Sequence, residues 1–260
     1  MDRRNFLKTG GIALLGSLAT GSAMALTTPG ALGGEGADKK AAVALAMNHF
    51  GVSEADLKKV LAAALEKGGD YADLFFEHTI SNSIRLMDGA VNNSYSNIDY
   101  GVGVRVLIGD QSGYAYVENI TVEDMLKAAR TAARIASANK GNKPLNLTEK
   151  ELKKNYYTVA SPWEEVSLKD KMPYLQKLND RIFALDKRVH KVQASQSDTT
   201  SHIFFCNSEG VMFYDYRPMV TLGAVCIMEE DGKTENGYAA RAYRRGFDFL
   251  SDEVVDVIAR

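Results

Sequence analysis

The sequence lacks a marked excess of charge of either sign. Its 260 residues include 31 lysines and arginines and 33 aspartates and glutamates, so the net charge is -2 at pH 7. Such a chain has no electrostatic reason to coat nucleic acid or an anionic membrane. With 45% hydrophobic and 25% charged residues, it can bury a core without disulfide or metal staples. We therefore expect one large or two small globular domains that do not bind nucleic acid.

The sequence also lacks an apolar run long enough to give a stable membrane span. Residues 1–25, MDRRNFLKTGGIALLGSLATGSAMA, combine a basic start, a short apolar run with glycines and a small-residue end, which is the pattern of a cleaved signal peptide. The letters RRNFLK resemble a twin-arginine export signal, whose substrates cross the membrane already folded. We expect this segment to direct export to the periplasm, with an uncleaved anchor as the alternative. Residues 26–37, LTTPGALGGEGA, are small and flexible and indicate a linker.

Histidine is scarce, and its spacing predicts no metal site. The four histidines are His49, His78, His190 and His202, and none stands in an H-E-x-x-H spacing, which would place two imidazoles on one face of a helix. His190 and His202 could approach each other across a hairpin, but two imidazoles without nearby carboxylates are a poor ligand set. His78 and its neighbour Glu77 point to opposite faces of a strand. The residues therefore predict no metal-binding or cofactor-binding position.

Motifs for nucleophilic catalysis are missing as well. There is no G-x-S-x-G elbow, and no serine or cysteine has a histidine at a recognisable spacing. Gly101 and Gly103 lie inside a strand pattern, which favours close packing or a bend over a phosphate loop. Cys206 and Cys226 fall in different predicted strands. An oxidising location would permit a disulfide, but two buried thiols are favoured because nothing fixes the pair at bonding distance. No catalytic residue is predicted.

The chain does contain a long stretch of β-type segments, from Tyr71 to Asn119. Only tight turns separate its segments, at Asp88-Gly89 and at 109–113, so no crossover helix fits between them. The apolar residues Val102, Val104, Val106 and Ile108 fall on one face, which is the period of two that is typical of a strand. The segments must therefore pair as an antiparallel meander.

Helices are predicted on both sides of this meander. Asp38 can cap a first helix through Asn48, Ser53 opens a second, and Thr121 caps an alanine-rich third. From 139 to 162 the periodicity lapses, which indicates a connection with at most a short helix around 148–154. Its far edge is followed by Trp163, the one tryptophan, which we interpret as a packing anchor.

A second β region follows a helix that Ser167 opens and that reaches about Leu185. Turns are predicted at Asp198-Thr199, at 207–210 and at 230–233. Between Val220 and Met228 both faces carry apolar residues, which predicts a central strand that is covered on both sides. Arg241, Arg244 and Arg245 are interpreted as the solvated edge of a later strand, with addition of an extended peptide to an open edge as the alternative.

The two regions predict a repeated architecture. Each meander ends in a long apolar strand, a glycine turn and the letters GYA, at 113–115 and again at 237–239. The expected fold is α+β, with antiparallel β-meander sheets flanked by helices, in two helix-meander-helix blocks at 38–138 and 163–260 that the connection 139–162 joins. The last predicted helix starts at Ser251 and no terminating residue follows it, so we expect the chain to be cut within an element.

Taken jointly, these segments resemble the N-terminal region of the TldD/PmbA family of zinc metallopeptidases. The resemblance is carried by ADLFFEH, IRLMDGAV, YGVGVRVLIGD and SGYAYVEN in the first block and by NSEGVMFYDYRPMVTLGAV in the second. It covers the chain from about Ser53 to its last residue. The resemblance implies proteolysis of peptides or unfolded proteins, and a partner that is a homologous subunit of the same family.

In that family the zinc-binding H-E-x-x-x-H motif follows this region, and no position of this chain corresponds to it. The resemblance therefore implies zinc for a complete family member but assigns no catalytic, cofactor-binding or metal residue here. We expect this chain to be the non-catalytic N-terminal scaffold of an exported metallopeptidase. The alternative is a self-standing pseudo-enzyme that binds a peptide or a homologous partner without cleaving it.

Overall fold

The computed structural model describes residues 39–136, 148–149, 157 and 159–260. The predictions for residues 1–37, for the cap at Asp38 and for most of 139–162 lie outside the described residues. In chain order the helices and strands are α1 (Lys39–Phe50), α2 (Glu54–Leu65), β1 (Tyr71–Met87), β2 (Ala90–Ile108), β3 (Gln111–Val117), α3 (Val122–Ile135), β4 (Thr148–Glu149), α4 (Leu168–Leu185), β5 (Val189–Asn207), β6 (Val211–Glu230), β7 (Lys233–Tyr243) and α5 (Asp252–Ala259), with short 3-10 turns at Trp163–Glu165 and Phe247–Phe249.

The helices begin where their capping residues predict. Before α2, the backbone N–H of Asp56 donates to the Ser53 hydroxyl at 3.2 Å, and the Ser53 N–H donates to the Asp56 carboxylate at 3.0 Å. The same reciprocal capping box forms at Ser167 before α4, and the Thr121 hydroxyl caps α3. Each box satisfies backbone donors that a helix start leaves without a partner. The predicted helix starts at Ser53, Thr121 and Ser167 are therefore confirmed.

The strands of the described residues all belong to one seven-stranded sheet in the order β3-β2-β1-β5-β6, with β7 and the two-residue β4 beside β6. Within each meander, β1–β2–β3 and β5–β6–β7, consecutive strands pair antiparallel. Strand β1 also pairs antiparallel with β5, where Asp73 lies opposite Asn207 and Met87 opposite Gln193. Only β4 pairs parallel, at Thr148 with Val211. The predicted α+β class is confirmed, and the pairing of β1 with β5 joins the two meanders edge to edge.

The hairpin turns form where glycine follows aspartate. Asp88 and Gly89 have φ of 51° and 80°, and Asp231 and Gly232 have φ of 50° and 72°. Positive φ at both central residues matches the right-handed twist of the flanking strands, and aspartate and glycine tolerate it. These two predicted turns are confirmed.

The predicted turn at Asp198-Thr199 is wrong, because β5 runs through it without a break. Asp198 lies opposite Asn82 of β1 and Val220 of β6, so backbone pairing on both sides overrides the local turn preference. The expectation that His190 and His202 could meet across a hairpin is wrong for the same reason. Both lie on β5, and twelve residues of extended chain separate them by about 40 Å.

One face of the sheet carries the helices. The buried even-numbered apolar residues of β1, β5 and β6, and those of β2 from Val102 onward, pack against the helices in two apolar clusters. The first contains Leu57, Phe76, Val104, Met125 and Phe204, and the second contains Ile84, Trp163, Leu178, Leu222 and Val255. The odd-numbered residues face the other side of the sheet, which we call the open face because no described helix packs on it. The segment from Val220 to Met228 is central, as predicted, but helices cover only one of its faces.

Two further features frame the sheet. Trp163 is 2% exposed and its indole N–H donates to the carbonyl oxygen of Arg245 at 2.8 Å, which confirms it as a packing anchor. Among the described residues, the segment of β2 from Ala90 to Gly101 pairs with β1 alone, because β3 begins its pairing at Val102. This segment is therefore an edge strand.

In the part of the chain that the structure describes, no helix is long and apolar enough to cross a membrane.

Candidate functional site

Three histidines that are distant in sequence meet on the helix side of the sheet. The pairing of β1 with β5 sets His78 directly opposite His202, and the last turn of α1 brings His49 over both. The ring centroid of His49 lies 5.0 Å from that of His78 and 5.0 Å from that of His202. The Nε2 atom of His49 is 2.8 Å from the Nδ1 atom of His78, which is a hydrogen-bond distance. We call these three residues the histidine cluster.

The buried end of the cluster is anchored by a carboxylate. Glu164, in the 3-10 turn, lies 3.0 Å from the Nε2 atom of His202 through Oε1. Its other oxygen accepts the Tyr216 hydroxyl at 3.0 Å and the Thr200 hydroxyl at 3.3 Å. The Nδ1 atom of His202 lies 2.7 Å from the Tyr214 hydroxyl. Both ring nitrogens of His202 are therefore occupied by hydrogen bonds within the protein.

The surroundings shift the pKa values in opposite directions along the cluster. Burial favours a high pKa for Glu164, but its hydrogen bonds from His202 and Tyr216 outweigh this effect and lower the pKa below its ordinary value. Burial, and then the negative charge of Glu164, raise the pKa values of Tyr214 and Tyr216. The buried end therefore holds a carboxylate, and the hydroxyl groups of Tyr214 and Tyr216 keep their protons as donors.

At the exposed end, the pKa of His49 is lowered to about 4, first by burial and then by the neighbouring imidazoles, while Glu164 opposes the shift. The pKa of His78 is lowered by the same causes in the same order, burial and then His202. A hydrogen bond between two imidazoles needs one donor and one acceptor. Since protonating both rings would place two like charges 2.8 Å apart, the pair can take up at most one additional proton.

This arrangement predicts a pH-dependent stability. Because the folded chain binds the proton of His49 more weakly than the unfolded chain, unfolding takes up a proton between pH 6.5 and about 4, and the free energy of unfolding falls as the pH drops through that window. We expect His49→Gln to flatten the dependence of the urea midpoint on pH in this range. His190→Gln, on an exposed histidine of β5, is the control and should keep the wild-type slope. An unchanged slope in His49→Gln would contradict the assignment.

The histidine cluster does not fit the zinc that the family resemblance implies. The rings of His49 and His78 are stacked at 27° and bonded to each other, so their nitrogens do not converge on a common point, and His202 has no free nitrogen. Within residues 39–136, 148–149, 157 and 159–260, no group of three histidine, cysteine, aspartate or glutamate side chains is arranged to hold a metal ion. We therefore assign no metal chemistry to these residues.

A second polar group lies beside the cluster on the same strands. The Lys171 ammonium donates to Oδ2 of Asp198 at 2.5 Å, and these two residues are 4% and 2% exposed. Asn82 donates to Oδ1 of Asp198 at 3.0 Å, and Gln196 donates to Oδ2 at 2.9 Å. The Lys171 nitrogen also lies 5.3 Å from the ring centroid of Trp163. The buried charge pair thus ties α4 to β5 and β1, between the two apolar clusters.

The remaining candidate residues, the two cysteines and the arginines near the end of β7, do not come together in one site. Cys206 and Cys226 are free, since they lie at opposite ends of a strand pair opposite Met212 and Val192. Burial raises the pKa of the Cys206 thiol, which makes it a poor nucleophile. The arginines near the end of β7 are exposed, and Arg245 is paired with Asp248.

Sequence reasoning missed the histidine cluster because its members come from three separate elements. The strand period places His78 and His202 on the helix-facing side once β1 and β5 are known to pair. No local pattern indicates that pairing, and none indicates that α1 crosses to β5 and β6, although its contacts with both strands set the position of His49. The structure alone brings the three rings together.

The sheet, its helices and the matched sequence define a family. Residues 72–136 match the model of the PmbA/TldA metallopeptidase domain 1, and residues 161–260 match the model of the PmbA/TldA metallopeptidase central domain. The chain belongs to the TldD/PmbA family. The two matches follow one another in the chain in the order of the two helix-meander-helix units.

Curated relatives agree with this membership. A metalloprotease TldD homolog of Haemophilus influenzae is 32% identical over 191 residues, which are 72% of this chain and 39% of that protein. A TldD homolog of Buchnera aphidicola subsp. Acyrthosiphon pisum is 26% identical over 207 residues, or 80% of this chain and 43% of that protein. The chain spans less than half the length of these relatives.

Solved structures share the fold. A candidate modulator of a DNA gyrase from Thermotoga maritima superposes with a TM-score of 0.61 at 20% identity, over 79% of this chain and 46% of that one. TldE from Thermococcus kodakarensis superposes with a TM-score of 0.57 at 15% identity, over 78% of this chain and 46% of that one. Identities this low support the common fold alone.

Proposed function

We propose that this chain supplies the non-catalytic N-terminal sheet scaffold of an exported zinc metallopeptidase that acts on peptides or unfolded proteins. The observation that carries the proposal is the match of residues 72–136 and 161–260 to the first and central domains of the family. The export step is supported by the basic, apolar and small-residue pattern of residues 1–25. In this role the sheet shapes a substrate cleft and contacts a homologous subunit.

A direct test uses the purified 260-residue chain. We expect it to bind no stoichiometric zinc when metal content is measured after dialysis against zinc, and to leave an unfolded peptide intact. A full-length TldD homologue, assayed in parallel, is the positive control. Cleavage by the pure 260-residue chain that a chelator abolishes would overturn the proposal, because the reactive groups would then lie within these residues.

The subunit contact has a candidate position on the edge segment of β2. Val91, Tyr95 and Ile98 are more than half exposed there, and the outer edge of the segment has no described strand beside it. An edge strand with exposed apolar residues is a template for pairing with another chain. This segment supports an association with a homologous subunit through added strand pairing.

We expect Ile98→Lys to weaken binding to a full-length family subunit by about tenfold or more, since it places a charge in an apolar contact. Binding would be measured by analytical ultracentrifugation or by calorimetry. Leu185→Lys is the matched control, because Leu185 is as exposed as Ile98 but lies at the end of α4. Equal affinities for the two variants would place the subunit contact elsewhere.

The alternative, a self-standing binding module, is favoured by the same open edge, which can accept an extended peptide without any cleavage. Reading the genomic DNA past codon 260 separates the two functions. A downstream frame that encodes H-E-x-x-x-H supports the peptidase scaffold. A stop codon with no such frame nearby supports the binding module.

A further inference from the structure

Two glycines of β2, Gly101 and Gly103, line a cleft on the open face of the sheet. Gly103 lies between Phe75 of β1 and Tyr116 of β3, and Gly101 lies opposite Glu77. A Cβ atom on Gly103 would approach the Tyr114 hydroxyl to 2.5 Å, so a side chain there would meet the tyrosine ring. The ring of Tyr114 therefore packs directly over the buried Gly103, and the neighbouring strands supply the walls of the cleft.

The walls combine aromatic rings that the helices do not cover. Phe75, Tyr114 and Tyr116 are 36%, 59% and 66% exposed. Together with the glycines they line a cleft of about 440 Å³, which lies within the range of small-molecule sites. Exposed aromatic faces beside a concave floor are suited to a flat or cationic ligand. We call this pocket the glycine cleft.

The charge of the glycine cleft has one sign. Glu77, Asp99 and Glu118 line it, and no lysine, arginine or histidine among the described residues does. Glu77 accepts the Thr79 hydroxyl at 2.6 Å, which is a neutral donor and leaves the negative charge in place. The nearest guanidinium in the strand register belongs to Arg105, whose Nε and Nη2 atoms already donate to Asp73, at 2.9 Å and 2.6 Å.

We propose that the glycine cleft binds the guanidinium group of an arginine side chain in an extended peptide. A guanidinium is planar, stacks on aromatic faces and donates forked hydrogen bonds to carboxylates. Glu77 and Glu118 stand on either side of Gly101, two strand spacings or about 10 Å apart at the backbone. A planar cation fits between these carboxylates and relieves their mutual repulsion.

The binding of arginine goes beyond the role of a peptidase scaffold and does not depend on it. The cleft lies wholly on β1, β2, β3 and the residues that follow β3, so the purified chain alone can be tested without zinc, partner or cleavage. A chain that bound arginine but no homologous subunit would keep this site and lose the proposed function. A chain that bound a homologous subunit but no arginine would keep the proposed function and lose this site.

The test is a titration of the 260-residue chain with N-acetyl-arginine methylamide, followed by NMR shifts of the Gly101 and Gly103 amides. We expect saturable binding with a Kd on the order of 1 mM, since exposed cation–aromatic contacts and solvated carboxylates are weak individually. N-acetyl-citrulline methylamide has the same shape without the charge and should bind at least about tenfold more weakly. Equal binding of the two probes, or no saturable shift with the arginine probe, would overturn the proposal.

Variants locate the binding in the cleft. We expect Glu77→Gln combined with Glu118→Gln to weaken the arginine probe by about tenfold or more, because the charge-assisted bonds are lost. Glu235→Gln, on an exposed glutamate of β7, is the matched control and should bind as the wild type does. Gly103→Ala, whose new methyl group would displace the Tyr114 ring from its place in the wall of the cleft, should also weaken binding. If the double variant and the control bound equally, the probe would occupy another surface.

Discussion

Replacing Lys171 with methionine is expected to lower the free energy of unfolding by about 3–5 kcal/mol, the usual cost of removing one partner from a buried ion pair. The substitution would leave the Asp198 carboxylate, 2% exposed, with only the amide donors of Asn82 and Gln196. Amide hydrogen bonds compensate a buried charge less well than an ammonium group does. Urea unfolding of the variant beside the wild type, at constant pH and salt, measures the loss.

Lys177→Met is the matched control, since Lys177 forms its salt bridge with Asp252 at the surface, where both side chains are largely exposed. Exposed pairs contribute about 1 kcal/mol or less. Adding Asp198→Asn to Lys171→Met removes the isolated charge and should recover part of the lost stability. Similar losses in Lys171→Met and Lys177→Met would show that the pair at Asp198 is solvated, contrary to the structure.

Phe76→Ala is expected to cost about 3–5 kcal/mol of unfolding free energy, because it leaves a cavity in the apolar cluster. Phe76 is fully buried, and its ring centroid lies 5.4 Å from the centroids of Phe50 and Phe204. The three rings come from β1, α1 and β5, so the cavity would weaken contacts among all three elements. Thermal and urea unfolding of the variant provide the measurement.

The adjacent residue supplies the control for this loss. Phe75 points to the open face and is 36% exposed, so Phe75→Ala should cost only about 1 kcal/mol. The two variants remove the same group from neighbouring positions of one strand, and their difference measures which face of the sheet the helices cover. Equal losses would mean that the open face is buried as deeply as the helix-covered one.

Much of the fold could be predicted from the sequence because the deciding interactions are local. The capping residues Ser53, Thr121 and Ser167 mark helix starts within one turn of the chain. The Asp88-Gly89 pair selects a two-residue hairpin turn by its backbone preference alone. Alternating apolar residues then identify the helix-facing side of each strand.

The joining of the two meanders could not be predicted in this way. The pairing of β1 with β5 links residues more than a hundred positions apart, and no turn or capping residue indicates that pairing. The wrong turn at Asp198-Thr199 has the same origin, because Asp198 gains a buried partner in Lys171 that its neighbours in sequence do not reveal. The histidine cluster depends both on this pairing and on the crossing of α1 to β5 and β6, so it could not be predicted from the residues alone.

The pairing of β1 with β5 also has a consequence for the order of folding events. Hairpins within each meander close over short loops and can form in microseconds. The β1–β5 ladder and the contacts of α1 with β5 and β6 bring together distant parts of the chain, which slows folding through high contact order. We infer that the two meanders form early, and that their docking along β1 and β5 limits the refolding rate.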